Sequence, residues 1–146
     1  MRQHTRSLGF TLIEVMIAMA IVAILAAIAV PMYNRYVVEA LLPDAFNSLT
    51  TLAQNLESYK EDNSTYVGAC QAGTNAPLPT SSNWTFSCPT LSATGYVVQA
   101  NGVAGSQVAG FSFTLDNNGS EVTLSTPSGW TNPGSCWVRS PSGSCS

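Results

Sequence analysis

Few side chains in this sequence can do chemistry, and the least expected of them is a carboxylate. Glu14 sits inside GFTLIEVMIAMAIVAILAAIAVP, where no polar residue occurs from Val15 to Val30. Holding an ionised carboxylate at mid-bilayer costs about 2.5 to 3.5 kcal/mol on insertion scales, so such a group needs water or a partner. Two readings follow. In one, the segment is an anchor helix and Glu14 stays close enough to the interface to remain hydrated. In the other, a cut after Gly9 creates a new α-amino group on Phe10. That amine, on an adjacent copy of the chain, would neutralise Glu14 and set the axial register of a helical array.

The other reactive groups are four cysteines, Cys70, Cys88, Cys136 and Cys145, in a chain whose single histidine is His4. An even set in a small domain, with no histidine nearby to share a metal, favours disulfides over zinc. Three pairings are open, and proximity along the chain favours Cys70 with Cys88 and Cys136 with Cys145. Each closed loop would contribute roughly 2.5 to 3.3 kcal/mol in the chain-entropy account. The first bridge would pin a helix-to-sheet loop. The second would close CWVRSPSGSC and expose some combination of Trp137, Arg139 and the Ser-Pro-Ser-Gly tip.

Catalysis finds little support. Past Gly9 there is no histidine, and after Asp62 the only acids are Asp116 and Glu121, so no acid/base dyad or nucleophile relay stands out and no cofactor is implied. DNNGSE, residues 116–121, shares oxygen-rich spacing with calcium loops but lacks their full span and twelfth-position glutamate, so it reads as a hairpin turn and no metal is assigned. The NST, NWT and NGS triplets match a glycosylation pattern that loop composition produces readily. Arg139 beside Trp137 could touch nucleic acid. Removing residues 1–9, however, leaves three basic and eight acidic side chains, a formal charge of −5, which argues against direct nucleic-acid binding over an extensive phosphate-binding patch.

The elements that carry these groups can be read from composition. The chain has 146 residues, one domain's worth, and 45% are hydrophobic. Its mean hydropathy of +0.16 is high for a soluble protein. The apolar run from Phe10 to Val30 is about 21 residues, roughly 31 Å as a helix, enough to cross a bilayer. A secretory signal peptide would share the basic start, Arg2, His4 and Arg6, but its apolar core is usually shorter. Ala26, Ala27 and Ala29 keep a cleavage site open. The basic leader favours the cytoplasmic side, placing the rest of the chain across the membrane.

Beyond Pro31 the helix continues, because Ala45, Leu49, Leu52, Leu56 and Tyr59 recur at spacings of four and three. Pro31 and Pro43 each remove a backbone donor, so bends or local melting are expected near Ala27 and Glu39. From Asn63 the sequence turns to alternating apolar residues, with strands expected at Tyr96 to Ala100, Gly110 to Leu115 and Ser120 to Thr126. Phe111, Phe113 and Leu115 would share the inner face of the second strand, and Val122 and Leu124 that of the third. A three-stranded antiparallel sheet would lie on the helix stripe, with Thr85 to Ser87 or Cys136 to Arg139 as a potential fourth edge.

GFTLIE, the apolar helix and Pro31, in that order behind a basic leader, resemble the class III signal of type IV pilins and pseudopilins. The resemblance implies that a prepilin peptidase cuts between Gly9 and Phe10, that the new Phe10 amine is methylated, and that Glu14 is the family's assembly carboxylate. YVGAC, APLP, FSCP, GFSFTLDNNG, PSGW and CWVRSPSGSC also resemble PilE-type minor pilins. The fold so implied is the α+β type IV pilin fold, a long N-terminal helix packed on a small antiparallel sheet with a disulfide-closed C-terminal loop. Its parts would be a leader at 1–9, a membrane or filament-core helix at 10–31, an amphipathic helix at 32–62 and a loop-and-sheet head at 63–146.

The expected protein is not an enzyme but a structural subunit, most like a minor pilin. It would be a single-pass inner-membrane precursor with a periplasmic head, later part of an extracellular pilus serving adhesion, twitching motility or DNA uptake. The implied partners are other pilin subunits, the prepilin peptidase and the inner-membrane assembly machinery. A type II secretion pseudopilin and a major pilin are the alternatives.

Overall fold

The computed structural model describes residues 11–145. Its elements follow the order α1 Leu12–Asn63, β1 Trp84–Leu91, β2 Tyr96–Gly102, β3 Ser112–Asp116 and β4 Glu121–Ser125. The chain divides into two compact units, one reaching Tyr36 and the other beginning at Val37.

The first unit is the apolar part of α1, whose side chains from Leu12 to Val30 are solvent-exposed in the isolated chain. By length and composition this apolar helix suffices to cross a membrane. The helix assignment is unbroken through Pro31 and Pro43. Bends or local melting are expected near Ala27 and Glu39, and the helix shows no interruption at either place. Each proline removes only one rung of a 52-residue ladder, and the flanking rungs carry the helix past it.

The second unit is built around the later part of α1. Leu42, Ala45, Phe46, Leu49, Leu52 and Leu56 are its buried stripe. Leu42 and Phe46 extend the expected seam, while Tyr59 is only half-buried. The helix ends with the Asn63 side-chain amide donating to the Tyr59 carbonyl (2.9 Å). Ser64 follows in the left-handed region (φ 60°), which stops propagation.

The sheet is antiparallel in the order β1-β2-β3-β4, so four strands replace the expected three. The added strand is β1, which contains Thr85 to Ser87. Residues 136–139 form no strand. β1 escaped the alternation rule because its register shifts between Ser87 and Thr90, around Cys88 and Pro89, and an edge strand tolerates the donor that Pro89 lacks. Trp84 and Phe86 point inward from β1, joining Tyr96, Val98 and Ala100 of β2 and Phe113 and Leu115 of β3 in the core. The Trp84 indole N–H donates to the Leu41 carbonyl (3.2 Å) and so ties the sheet edge to the helix.

β4 corrects a second expectation. Val122 is half-buried and Leu124 is 51% exposed, whereas Thr123 is the buried residue. A register shift between Ser112 and Phe113 sets Thr123 opposite Phe113. The Thr123 hydroxyl donates to the Cys136 carbonyl and accepts the Val138 amide (3.0 Å). A hydrogen-bonded threonine therefore holds the inward position that an apolar pattern reserves for Val or Leu.

The turn from Asp116 to Gly119 forms as expected for DNNG. Asp116 Oδ1 accepts the amides of Asn118 and Ser120 (2.8 Å each), and Gly119 lies at φ 76°. The Ser120 amide, with a smaller share from Asn118, holds the Asp116 carboxyl below its ordinary range. A lowered folded pKa gives stability that is present above the unfolded value, about 3.9, and lost as pH falls through the folded one. Because Asp116 is only half-buried, solvent screening keeps this contribution small. Asp116→Asn should therefore flatten the acid limb of stability below about pH 4 in urea titrations, with little change in the fold. An unchanged acid limb would show that the turn does not hold the carboxylate ionised.

Candidate assembly interface

In the first unit the chemistry gathers at the start of α1. Thr11 precedes the helix and its Oγ1 accepts the Glu14 amide (3.3 Å), an N-cap. Thr-Leu-Ile-Glu is the pattern of a capping box, a signal that reading Glu14 only as a charge in an apolar run overlooks. A carboxylate in the first turn also lies at the positive end of the helix dipole. Glu14 thus has local support as well as a capacity to bind a cation.

From Glu14 a stripe of Val15, Ala18, Met19, Val22, Ala23 and Ala26 runs along one exposed side of the helix. Small side chains at this spacing let another helix backbone approach closely. Gly9 and Phe10, the expected cleavage pair and methylated terminus, lie outside the described residues. Pro31 and Pro43 both lie within α1.

In the second unit the structure joins Cys70 to Cys88 and Cys136 to Cys145, and the described residues hold no free cysteine. The first bridge ties the loop after α1 to β1, and the second closes the C-terminal loop. That loop does not display its tryptophan. Trp137 is 3% exposed, stacks on Phe46 (4.9 Å, 7° between planes) and donates its indole N–H to the Thr114 carbonyl (2.9 Å). Sequence spacing could not foresee this, because Phe46 and Trp137 are far apart in the chain.

The two cations of the second unit are Lys60 and Arg139, and both are engaged. Arg139 lies over the Phe46 ring (5.0 Å) and its Nε donates to the Cys145 carbonyl (3.1 Å). Lys60 lies over the Tyr66 ring (4.7 Å), and the Tyr66 hydroxyl donates to both Glu57 oxygens (3.0 and 2.9 Å). Burial, followed by the Glu57 hydrogen bond, raises the Tyr66 pKa, so Tyr66 keeps its proton as the donor of this cluster. Among the described residues no cluster of His, Cys, Asp and Glu is arranged to hold a metal.

An apolar helix with a carboxylate in its first turn, together with a helix-on-sheet unit carrying a disulfide-closed C-terminal loop, defines a type IV pilin. The prokaryotic N-terminal methylation motif matches residues 4–30. The family described as type IV minor pilin ComP, DNA uptake sequence receptor, matches residues 31–110, more than half of the chain, and the protein belongs to that family.

Curated relatives include fimbrial protein EcpC of Eikenella corrodens, 59% identical over 39 residues, 27% of this chain and 26% of that one. A fimbrial protein of Moraxella nonliquefaciens is 52% identical over 50 residues, 34% of this chain and 30% of that one. Prepilin peptidase-dependent protein D of Escherichia coli is 34% identical over 77 residues, 52% of each chain. The chain thus spans between a quarter and about half the length of these relatives. The non-core minor pilin PilV of Neisseria meningitidis shares the fold, with a TM-score of 0.51 at 16% identity over 63% of this chain and 91% of that one. The N-terminal methylation motif and the apolar helix fit a membrane-anchored precursor, and the curated relatives are themselves named as fimbrial or prepilin peptidase-dependent proteins.

Proposed function

We propose that the protein is a minor subunit of a type IV pilus. It is held in the inner membrane with its head in the periplasm, cut between Gly9 and Phe10 by a prepilin peptidase, methylated on Phe10, and inserted by the inner-membrane assembly machinery through pairing of Glu14 with a Phe10 amine. The observation that carries this reading is the exposed apolar helix with its capped carboxylate, a surface that gains by leaving lipid for the company of similar helices. Immunogold labelling of surface pili, with a deletion strain as control, tests it. Labelling confined to the cell envelope in piliated cells would count against it.

Processing gives a second test. Replacing Gly9 by a bulkier residue should leave the full-length precursor in the membrane, detected as an uncut chain by mass spectrometry. An intact Met1 on the protein recovered from pili would refute the assigned cut.

Among pilus activities, the family match favours DNA uptake. The second unit, with Lys60 and Arg139 as its only cations, allows at most about two phosphate contacts. Any binding of duplex DNA by the protein should then show a slope of log K against log salt no steeper than about −2. A slope near −5 would mean that subunits combine their cations into a shared phosphate-binding surface.

A further inference from the structure

The apolar run of α1 ends in a turn of different character. Met32, Tyr33 and Tyr36 are exposed by 51%, 68% and 61%. Tyr33 and Tyr36 are three residues apart on the helix and share a face. The Tyr33 hydroxyl is the first polar side-chain group after Glu14, and Asn34 and Arg35 follow it directly. Glu14 and Tyr33 are 19 positions apart in one helix. At about 1.5 Å per residue that is about 28 Å, close to the roughly 30 Å of a hydrocarbon core. Tyrosine, with an apolar ring and a polar tip, is enriched at the headgroup level of spanning helices.

We propose that Tyr33 and Tyr36 are the interfacial anchor of the membrane-inserted chain. Their rings lie among the phospholipid headgroups on one face of the bilayer, and the Glu14 carboxylate lies at headgroup level on the other. The occupant of the Tyr33 and Tyr36 face is the lipid headgroup layer, because that face continues directly from the apolar span and begins where the span reaches bilayer thickness. This deepens the membrane stage of the proposed function and rests on it. It also explains how the precursor tolerates Glu14: in the bilayer the carboxylate stays hydrated, and it needs a charged partner only when the helix leaves lipid.

The test uses the full chain in vesicles of phosphatidylcholine and phosphatidylglycerol whose acyl chains carry bromine either high or low. Tyr33→Trp and Tyr36→Trp introduce reporters, and their signal is taken as the difference from the unsubstituted protein. Quenching should be stronger with the high bromines. Stronger quenching by the low bromines, or none in a chain that resists alkaline washing, overturns the anchor.

A second variant set guards against a reporter that perturbs its own site. Ile24→Trp, near the middle of the span, should be quenched best by low bromines, and adding Tyr33→Leu with Tyr36→Leu should reduce that quenching by about twofold as the helix slides. An unchanged reporter depth overturns the proposal. If the double leucine variant also falls out of sheared pili at that unchanged depth, the face is a subunit contact instead. A chain that washes off the vesicles entirely refutes the membrane stage itself, which separates that failure from failure of the anchor.

Discussion

Glu14→Gln is expected to insert and be processed like the wild type and yet to fall by about tenfold or more in sheared pili, since about 1.4 kcal/mol of lost pairing is a tenfold change in partition. Glutamine is the informative replacement because it keeps the size of the side chain and the capping-box sequence pattern behind Thr11, whose hydroxyl accepts the residue-14 amide. What it removes is the negative charge available to a Phe10 amine. Glu14→Leu removes the charge cost of insertion as well, so it should enter the membrane at least as readily and still assemble poorly.

If Glu14 were only a tolerated residue of an anchor helix, both variants would assemble normally once inserted. Membrane fractionation, with quantification of the protein in sheared filaments, separates these outcomes. Normal incorporation of both variants would end the assembly role. A defect confined to Glu14→Leu would assign the effect to the helix cap rather than to the charge.

Trp137→Ala should destabilise the head by about 3 to 5 kcal/mol, the usual cost of truncating a buried large aromatic. Its ring stacks on Phe46, and its indole N–H bonds the Thr114 carbonyl of β3, so truncation both opens a cavity and removes a donor. Because Phe46 meets Phe113 edge-on (5.0 Å) and Arg139 over its own face, the loss falls on the junction of helix, sheet and C-terminal loop. Urea unfolding of the detergent-solubilised chain, followed by near-ultraviolet dichroism, measures it.

Leu124→Ala supplies the contrast. It lies on a strand, but its side chain is exposed, so the change should stay within about 0.5 kcal/mol. Equal losses at the two positions would mean that the C-terminal loop is not packed as described. Cys136→Ser lies between these extremes, costing roughly 2.5 kcal/mol through the short loop it opens.

Much of this molecule was legible in its sequence because local rules and tertiary demands agree over long stretches. An uninterrupted apolar run has few fates, and the stripe from Ala45 to Leu56 repeats often enough to define a buried helix face. DNNG is a turn under almost any surroundings because Asp116 makes its own hydrogen bonds to the residues that follow. β2 alternates and runs two residues past the expected Ala100, while β3 begins two residues after the expected Gly110, so that Phe111 is buried just ahead of the strand.

β1 was legible only as an alternative, since Cys88 and Pro89 break its alternation. The inner face of β4 was misread because satisfying the Cys136 carbonyl and the Val138 amide outweighed burying Leu124. Nothing within five residues of Thr123 announces either partner. Thr11, by contrast, could have been found, since the capping-box spacing to Glu14 is a short-range signal.

By itself, then, the sequence determined the apolar helix, its single carboxylate, the amphipathic seam, the turn at Asp116 and an even set of cysteines with no histidine near them. Each depends on composition or on spacings of a few residues, where backbone geometry alone places side chains. Only the tertiary structure decided that Trp137 is a buried core residue rather than a displayed one, that Arg139 lies on Phe46 and hydrogen-bonds Cys145, and that Thr123 replaces an aliphatic residue at the centre of β4. Those outcomes depend on which groups meet across tens of residues of chain, and a buried polar group is stable only where the fold brings its partner.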